Sequence, residues 1–354
     1  MKKMETNFDN YPSKYAEMGK SGQQAESILY QAPRNAVQGF RVLVETITKE
    51  ALHLDGYSNG GYDERQVDRI EMMRLHPDDY PVKVVQAMDR VRRVGNKASH
   101  DAKQDIGTEE ALQVDQDTYI ISDWFLGTYT QATEKDYIKP QNNTQNIEEL
   151  KKQLDDQKLK IQQLQQVNNK NRISLTVEEK VERRKKSRQF AIQHPLNEAE
   201  TRELIDQQLR DAGWEAGTKK IRYSNTKPEN GKNKAIAEWE FPNGDRADYA
   251  LFIGKEAVGV VEAKKYEDDV YSSLDQAVDY SKEFVFTDKV AEPIRNYEVY
   301  KPYNVPFIFS TNGRPYLKQL EQKSGIWFWD ARNPEHARRP LESWFTPDDL
   351  KPRT

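Results

Sequence analysis

The sequence predicts an α/β protein in which an N-terminal all-α module and a coiled-coil linker precede a mixed β-sheet domain flanked by helices. Three observations predict this class. Within residues 1–140, apolar residues recur at helical spacing. Residues 141–192 are dominated by Gln, Asn, Lys and Glu. In residues 193–354, strand-like apolar runs alternate with amphipathic helices. We therefore divide the chain into these three parts.

The composition excludes several classes of protein. Hydrophobic residues make up 36% of the chain, which is low for one compact globule of 354 residues and predicts some extended helix or linker. The net charge is −4, so any contact with nucleic acid must be local or mediated by a metal ion. The absence of cysteine excludes a disulfide scaffold, a zinc–cysteine site and a cysteine nucleophile. With no signal peptide and no apolar run long enough to span a membrane, we expect a cytoplasmic location.

The first part is predicted to be a small helical bundle. One predicted helix face carries Val37, Phe40, Val44 and Ile47. A second helix begins near Pro81 and is predicted to stop at Gly95-Asn96, a pair that favours a C-cap. The segment "DTYIISDWFLGTYTQAT" predicts a third and more apolar helix.

The second part, residues 141–192, is predicted to combine a coiled coil with a basic linker. The a and d positions of about three heptads are occupied by Ile147, Leu150, Leu154, Gln157, Ile161 and Leu164. The heptads are followed by the basic run "RRKKSR" from Arg183 to Arg188. We interpret this run as a solvated linker, and contact with nucleic-acid phosphate is the alternative interpretation.

The third part begins with an amphipathic helix, "NEAETRELIDQQLRDAGW". Three strands follow, "KAIAEWEF", "RADYALFI" and "AVGVVEAK", and the turns Pro242-Asn243-Gly244 and Gly254-Lys255 predict hairpins between them. A further helix, "SSLDQAVDYSKEF", precedes the strands "VPFIFSTNG" and "SGIWFWD". This order of elements predicts a mixed sheet covered by helices.

Charged residues stand at the ends of two of these apolar strands. Asp248 opens the second strand and Glu262 closes the third, so an antiparallel hairpin would bring them side by side. Lys264 lies two residues beyond Glu262 and therefore points to the same face. Two carboxylates can bind Mg²⁺, with the carbonyl of Ala263 as a further ligand, and the lysine can activate water or stabilise a phosphate transition state. The pattern predicts the site of a metal-dependent phosphodiesterase.

The same residues resemble a known superfamily. Asp248 followed by Glu262-Ala263-Lys264 is similar to the D…(D/E)-x-K signature of PD-(D/E)XK nucleases. Gln276 and Tyr280 on the next helix resemble the Q-x-x-x-Y motif of RecB-like nucleases and of the R (restriction) subunits of type I restriction-modification enzymes.

The helix that opens the third part also resembles the start of the nuclease domain in type I R subunits. That match implies Glu198 as an additional acidic residue of the site, with Glu200 and Glu203 as rivals. The segment "WFWDARNPEHARRPLESWFTPDDL" resembles the connector to the motor domains of those subunits. The chain has no complete G-x-x-x-x-G-K-[ST] motif, so we expect an N-terminal fragment or a natural truncation that does not bind ATP.

The resemblance implies the Mg²⁺-dependent DNA endonuclease part of a type I R subunit in a prokaryotic cytoplasm. Asp248 and Glu262 would bind the metal with Ala263, Lys264 would act on water or the transition state, and Gln276 and Tyr280 would position DNA or support the site. DNA and the methylation and specificity subunits would be the partners, and ATP would bind only to the full-length subunit. A stand-alone defence nuclease and a non-catalytic DNA-binding or assembly module are the alternatives.

A second candidate site lies in the helical part. Arg93 and His100 resemble the R-x(4–6)-H motif of HEPN-like helical domains, some of which are ribonucleases. These residues could serve as a phosphate clamp and a base. We favour a docking or structural role for residues 1–140, and an RNase that uses Arg93 and His100 is the alternative.

Overall fold

The chain divides into two compact units, Met1–Pro195 and Leu196–Thr354. The structure is a computed structural model and describes residues 5–57, 65–100, 105–132, 135–142, 147–168, 174–286, 291–294 and 301–351. The α/β class is confirmed, because helices come first along the chain and a mixed β-sheet domain follows them. Residues 141–192, predicted to form a linker, belong to the first unit.

The first unit is a bundle of helices around one apolar core. A short 3-10 helix covers Ser13–Tyr15, and the longer helices are α1 (Ala16–Ser27), α2 (Pro33–Asp55), α3 (Gln66–Arg74), α4 (Val82–His100), α5 (Thr108–Tyr129), α6 (Ile147–Asn168) and α7 (Val177–Gln193). Helix α2 packs against α1, α4 and α5. Its apolar face is buried as predicted, with Val37, Phe40 and Ile47 inaccessible to solvent. No described helix is long and apolar enough to cross a membrane.

Helix α4 continues past the predicted stop at Gly95-Asn96 and ends at His100. The glycine serves close packing rather than helix termination. A Cβ atom at Gly95 would lie only 2.6 Å from Cδ of Arg41, which extends from α2. The predicted stop at Gly95-Asn96 was therefore wrong, because the glycine allows a close contact between two helices and does not end α4.

Helix α6 packs against the bundle through the heptad positions that the structure describes. Leu154 is 1% exposed and lies in the bundle core, where a Cβ atom on Gly39 would come within 2.9 Å of it. Gln157 Nε2 donates a hydrogen bond of 2.7 Å to Glu17 Oε2 on α1. The side chains of Ile147, Leu150 and Leu164 lie outside the described part of the chain. The helix is present, and its pairing in a coiled coil remains a prediction.

The basic run Arg183 to Arg188 lies within helix α7. Arg183 is 4% exposed and contacts Asp55, with 2.5 Å between Nη2 and Oδ2. Arg184 Nε lies 2.6 Å from Oδ1 of Asp79. Arg183 is buried because Asp55 and Asp79 neutralise it, whereas Arg184, Lys185 and Arg188 are exposed.

The second unit consists of a mixed sheet and the helices on its faces. Its helices are α8 (Glu198–Asp211), α9 (Leu274–Glu283) and α10 (Pro347–Leu350), with a 3-10 helix at Lys318–Lys323. Its strands are β1 (Glu215–Ala216), β2 (Asn233–Glu240), β3 (Arg246–Ile253), β4 (Glu256–Ala263), β5 (Glu292–Pro293), β6 (Phe307–Thr311), β7 (Ile326–Asp330) and β8 (Arg339–Leu341). The order across the sheet is β1-β2-β3-β4-β6-β7-β8, and β5 also pairs with β4.

The connections place β4 at the centre of the sheet. Both predicted hairpins are present, because β2–β3 and β3–β4 pair antiparallel. The chain then crosses through α9 to β6, which pairs parallel with β4. Successive residues of β3 enter different apolar clusters: Ala250 packs in the cluster that includes α9, and Tyr249 packs in the cluster that includes α8. Helices therefore cover both faces of the central strands, which leaves the strand ends as the place for polar chemistry.

Candidate active site

The start of β3 and the end of β4 bring two carboxylates together. The register pairs Tyr249 with Val261, so Asp248 and Glu262 stand opposite each other one residue further along the hairpin. The Oδ2 atom of Asp248 accepts a hydrogen bond of 2.6 Å from the backbone N–H of Ala263. The Asp248 carboxylate is thereby fixed to the strand that carries Glu262.

The backbone of β6 fixes the position of Lys264. The N–H of Lys264 donates a hydrogen bond of 2.8 Å to the carbonyl of Thr311, which continues the parallel pairing beyond Ala263. The two strands approach closely because Gly259 has no side chain: a Cβ atom there would lie 2.9 Å from the carbonyl oxygen of Phe307. The backbone position of Lys264 at the end of β4 is therefore fixed by β6.

Glu262 and Lys264 form an ion pair at the end of β4. The distance from Lys264 Nζ to Glu262 Oε1 is 2.6 Å, and the Glu262 side chain is only 5% exposed. Burial and the neighbouring Asp248 carboxylate raise the pKa of Glu262 to about 7, against the lowering effect of Lys264. A carboxyl group with such a raised pKa beside a second acid is typical of functional sites.

Helix α9 adds two further side chains to this group. Gln276 accepts a hydrogen bond from Lys264 Nζ through Oε1 at 2.9 Å. Its Nε2 donates to the hydroxyl of Tyr280, which lies one helical turn further on. Burial and the charge of Glu262 raise the pKa of Tyr280 above its usual value, so the hydroxyl keeps its proton. Lys264 is thus held between a carboxylate and an amide.

Arg202 on α8 also belongs to the site, and the sequence reasoning missed it. Its Nη2 forms an ion pair with Oδ1 of Asp248, and 18% of its side chain is exposed. A signal for it existed, because Arg202 lies three and seven residues before Ile205 and Leu209, on the apolar face of an amphipathic helix. A guanidinium on such a face needs an acidic partner.

The three acidic candidates on α8 have different surroundings. Glu198 is 68% exposed, and its Oε1 lies 3.6 Å from Nε of Arg202. Glu200 completes a capping box, because its Oε2 accepts the N–H of Asn197 at 2.8 Å. Glu203 is partly buried on the same helix. Of the three, Glu198 is the one that contacts Arg202 and, through it, Asp248.

The donor set fits a hard divalent cation held mostly by water. Mg²⁺ prefers oxygen ligands and is commonly bound by one or two carboxylates, and this site offers Asp248 and Glu262 beside the Ala263 backbone. Among the described residues, no group of three or more His, Cys, Asp or Glu side chains is arranged to hold a metal ion. Further ligands would therefore have to be backbone oxygen, water or substrate.

The second candidate site is described only in part. Arg93 and His100 both lie on α4, and Arg93 Nε is 3.5 Å from Oδ2 of Asp89 on the same helix. The side chain of His100 lies outside the described residues. A ribonuclease role for this pair remains a prediction.

The sheet domain is similar to part of the endonuclease subunit of a type I restriction enzyme. Residues 215–353 match a family model described as the second domain of the type I restriction enzyme EcoKI endonuclease subunit. The chain is 39% identical to the type I restriction enzyme EcoKI endonuclease subunit of Escherichia coli (strain K12), over 44% of this chain. No solved structure matches the chain. The resemblance to type I R subunits is therefore confirmed.

The match covers a small part of that relative. The chain spans 15% of the length of the Escherichia coli subunit. The residues matched by the family model include Asp248, Glu262, Lys264, Gln276 and Tyr280, whereas α8, with Glu198 and Arg202, precedes them.

Proposed function

We propose that the chain is the Mg²⁺-dependent DNA endonuclease part of a type I restriction enzyme R subunit and hydrolyses phosphodiester bonds. The observation that carries this proposal is the contiguity of Asp248, Glu262 and Lys264 at one sheet end. A surface salt-bridge cluster would not need a nearly buried glutamate whose pKa is raised to about 7. The fold that the proposal implies is the PD-(D/E)XK fold, with β3, β4 and β6 as its central strands.

In the proposed site the carboxylates of Asp248 and Glu262, with the carbonyl of Ala263, would hold the metal ion. Bound Mg²⁺ would neutralise charge on the phosphate and lower the pKa of a water molecule. The role of the strands is to fix these ligands, because the hydrogen bond from Ala263 N–H to Asp248 prevents that carboxylate from rotating away.

Lys264 would act on the attacking water or on the developing phosphate charge. Its ammonium group has three protons, and Glu262 and Gln276 accept two of them, which leaves one to donate to substrate. Gln276 in turn is oriented by Tyr280. Gln276 and Tyr280 would therefore support the site by directing the lysine, and the exposed Gln276 would also be accessible to a DNA backbone.

DNA and the methylation and specificity subunits are the proposed partners. The name of the Escherichia coli relative specifies an endonuclease subunit of a type I enzyme, and this chain corresponds to only 15% of it. We expect ATP to act on the full-length subunit rather than on this chain, and we expect a prokaryotic cytoplasm as its location.

Plasmid cleavage tests the proposal. The wild-type chain is compared with Lys264→Ala and with Lys282→Ala, an exposed lysine on α9 that pairs with Asp279, with Mg²⁺ or with EDTA. We expect cleavage that requires Mg²⁺, is lost in Lys264→Ala and is kept in Lys282→Ala. Cleavage without ATP or other subunits would show that this part acts alone, and Mg²⁺ binding without cleavage would show that it needs the motor part and the other subunits.

Two results would contradict the proposal. Lys264→Ala cleaving at the wild-type rate would remove the lysine from the chemistry. Neither cleavage nor binding of a divalent cation by the wild-type chain would favour the non-catalytic DNA-binding or assembly module.

A further inference from the structure

We infer that Arg202 is a positioning residue that competes with the divalent cation for Asp248, and that Glu198 receives the guanidinium when the cation is bound. The inference rests on the proposed function, because it assigns a role toward the same metal site. It concerns a residue that precedes the segment matched by the family model.

Both oxygens of the Asp248 carboxylate already have a donor. Oδ2 accepts the backbone N–H of Ala263, and Oδ1 is paired with Nη2 of Arg202. The N–H of Ala263 belongs to β4 at the centre of the sheet and cannot move without breaking the pairing with β6. A cation that binds Asp248 through Oδ1 therefore competes with the guanidinium for the same oxygen atom, and the guanidinium sits on a flexible side chain.

The charges of the site lead to the same conclusion. Arg202 and Lys264 carry two positive charges, which Asp248 and Glu262 balance only when both carboxyl groups are ionised. A divalent cation would add two positive charges beside Arg202, and like charges at short range in a partly buried site repel. Lys264 is held by Glu262 and Gln276, so Arg202 is the cation that is free to leave.

Arg202 is incompletely satisfied where it stands. Its Nη1 is buried and has no hydrogen-bond partner among the described residues. A buried donor without an acceptor costs free energy. The unsatisfied Nη1 therefore offsets part of the free energy that the Asp248 contact contributes, and water can satisfy Nη1 when the guanidinium moves toward solvent.

Glu198 lies where the displaced guanidinium would go. It precedes Arg202 by four residues on α8, its Oε1 is 3.6 Å from Arg202 Nε, and its side chain is 68% exposed. Pairs of this spacing face each other on a helix. In this role Glu198 favours metal binding by drawing Arg202 away from Asp248, without itself contacting the metal.

Binding of Mn²⁺ to the full chain, measured from free Mn²⁺ by electron paramagnetic resonance with Mg²⁺ as competitor, tests the inference without cleavage. Arg202→Met removes the charge and keeps an unbranched side chain. We expect it to bind Mn²⁺ on the order of tenfold more tightly, because the competing charged hydrogen bond is gone. Arg202→Lys keeps a cation and should stay closer to wild type.

Two controls accompany this variant. Arg210→Met removes the same charge from the same helix at a residue that bonds the Ala216 carbonyl, and it should leave Mn²⁺ affinity unchanged. Asp248→Asn should weaken binding. Thermal melting of every variant without metal establishes that each is folded.

A double-mutant cycle tests the role of Glu198. Glu198→Gln should weaken Mn²⁺ binding in the wild-type background and have no effect in the Arg202→Met background, because Glu198 then has no guanidinium to draw away. An equal loss in both backgrounds would overturn this role and make Glu198 a direct ligand.

The failure of the inference is distinguishable from failure of the proposed function. If wild type binds Mn²⁺ and Asp248→Asn does not, but folded Arg202→Met binds as wild type or more weakly, Arg202 does not compete and the inference is overturned while the metal site stands. If neither wild type nor Arg202→Met binds Mn²⁺, the proposed metal site fails and the inference fails with it.

Discussion

The carboxylate of Asp248 and the backbone N–H of Ala263 are joined by a hydrogen bond of 2.6 Å that links two neighbouring strands. The residue proposed to bind the metal therefore also joins β3 to β4 at the open end of their hairpin. Asp248 therefore contributes to stability as well as to the site. Different substitutions of Asp248 should separate its effect on stability from its effect on cleavage.

Replacing Asp248 by Ala should lower both cleavage and stability. The Ala263 N–H and the Arg202 guanidinium would lose their acceptor, which costs about 1–3 kcal/mol for a buried donor. Asp248→Asn keeps an oxygen for the N–H, so it should lose cleavage at a smaller cost in stability. Urea denaturation in EDTA measures this difference, and equal stability of the two variants would contradict the structural role.

The acidic site was predictable from sequence because its members are close along the chain. The hairpin turn and the alternation of side chains bring Asp248 opposite Glu262, and the spacing of two residues puts Lys264 on the same face. Helical spacing does the same for Gln276 and Tyr280. Arg202 was not found, since it meets Asp248 across 46 residues and no local pattern fixes how α8 is placed against the sheet.

The stability of the protein without metal should depend on pH through Glu262. Its folded pKa of about 7 exceeds the ordinary value of 4.5, so the folded state favours the protonated acid. Wild type should therefore lose stability as pH rises from about 4.5 to about 7, and remain lower above that range. Glu262→Gln cannot ionise and should lack this loss.

Denaturation of wild type and Glu262→Gln across this pH range, in EDTA, measures the effect. The stability of the variant relative to wild type should increase with pH and level off above about pH 7. A constant difference between the two proteins from pH 4 to 8 would show that Glu262 titrates normally.

Gln276 should matter for cleavage more than for stability. It accepts from Lys264 and donates to Tyr280, so Gln276→Leu would leave the ammonium group directed by Glu262 alone. We expect a loss of about 10–100-fold in cleavage rate, as for other groups that orient active-site residues. Plasmid cleavage at saturating Mg²⁺ measures it.

The matched control is Asp279→Asn on the same helix, where the carboxylate is 65% exposed and pairs with Lys282. It should cleave as wild type does. Tyr280→Phe should fall between the two, since it removes the hydroxyl that bonds Gln276 and Glu262 but keeps Gln276 in place. Full activity in Gln276→Leu would show that Lys264 needs no second acceptor.

Composition did not reveal how the helices within residues 141–192 are docked. Polar and charged sequence is typical of linkers, but it also occurs in helices that are docked through a few buried side chains. Arg183 pairs with Asp55 across 128 residues, and Leu154 enters a core built from α1, α2, α4 and α5. No local sequence pattern around Arg183 or Leu154 predicts these contacts.

Arg183→Met should therefore destabilise the first unit strongly. The change leaves the buried Asp55, which also accepts from Tyr80 and Tyr129, without its cation. Breaking a buried ion pair by removing one partner costs about 3–5 kcal/mol. Hydrogen exchange in α7 and urea denaturation measure the loss.

Lys185→Met in the same basic run is the control, because that lysine is 72% exposed and its replacement should change stability by less than about 0.5 kcal/mol. Small and equal losses of stability in the two variants would support the interpretation of this segment as a solvated linker. A large loss in Arg183→Met alone would establish that Arg183 holds α7 to the bundle.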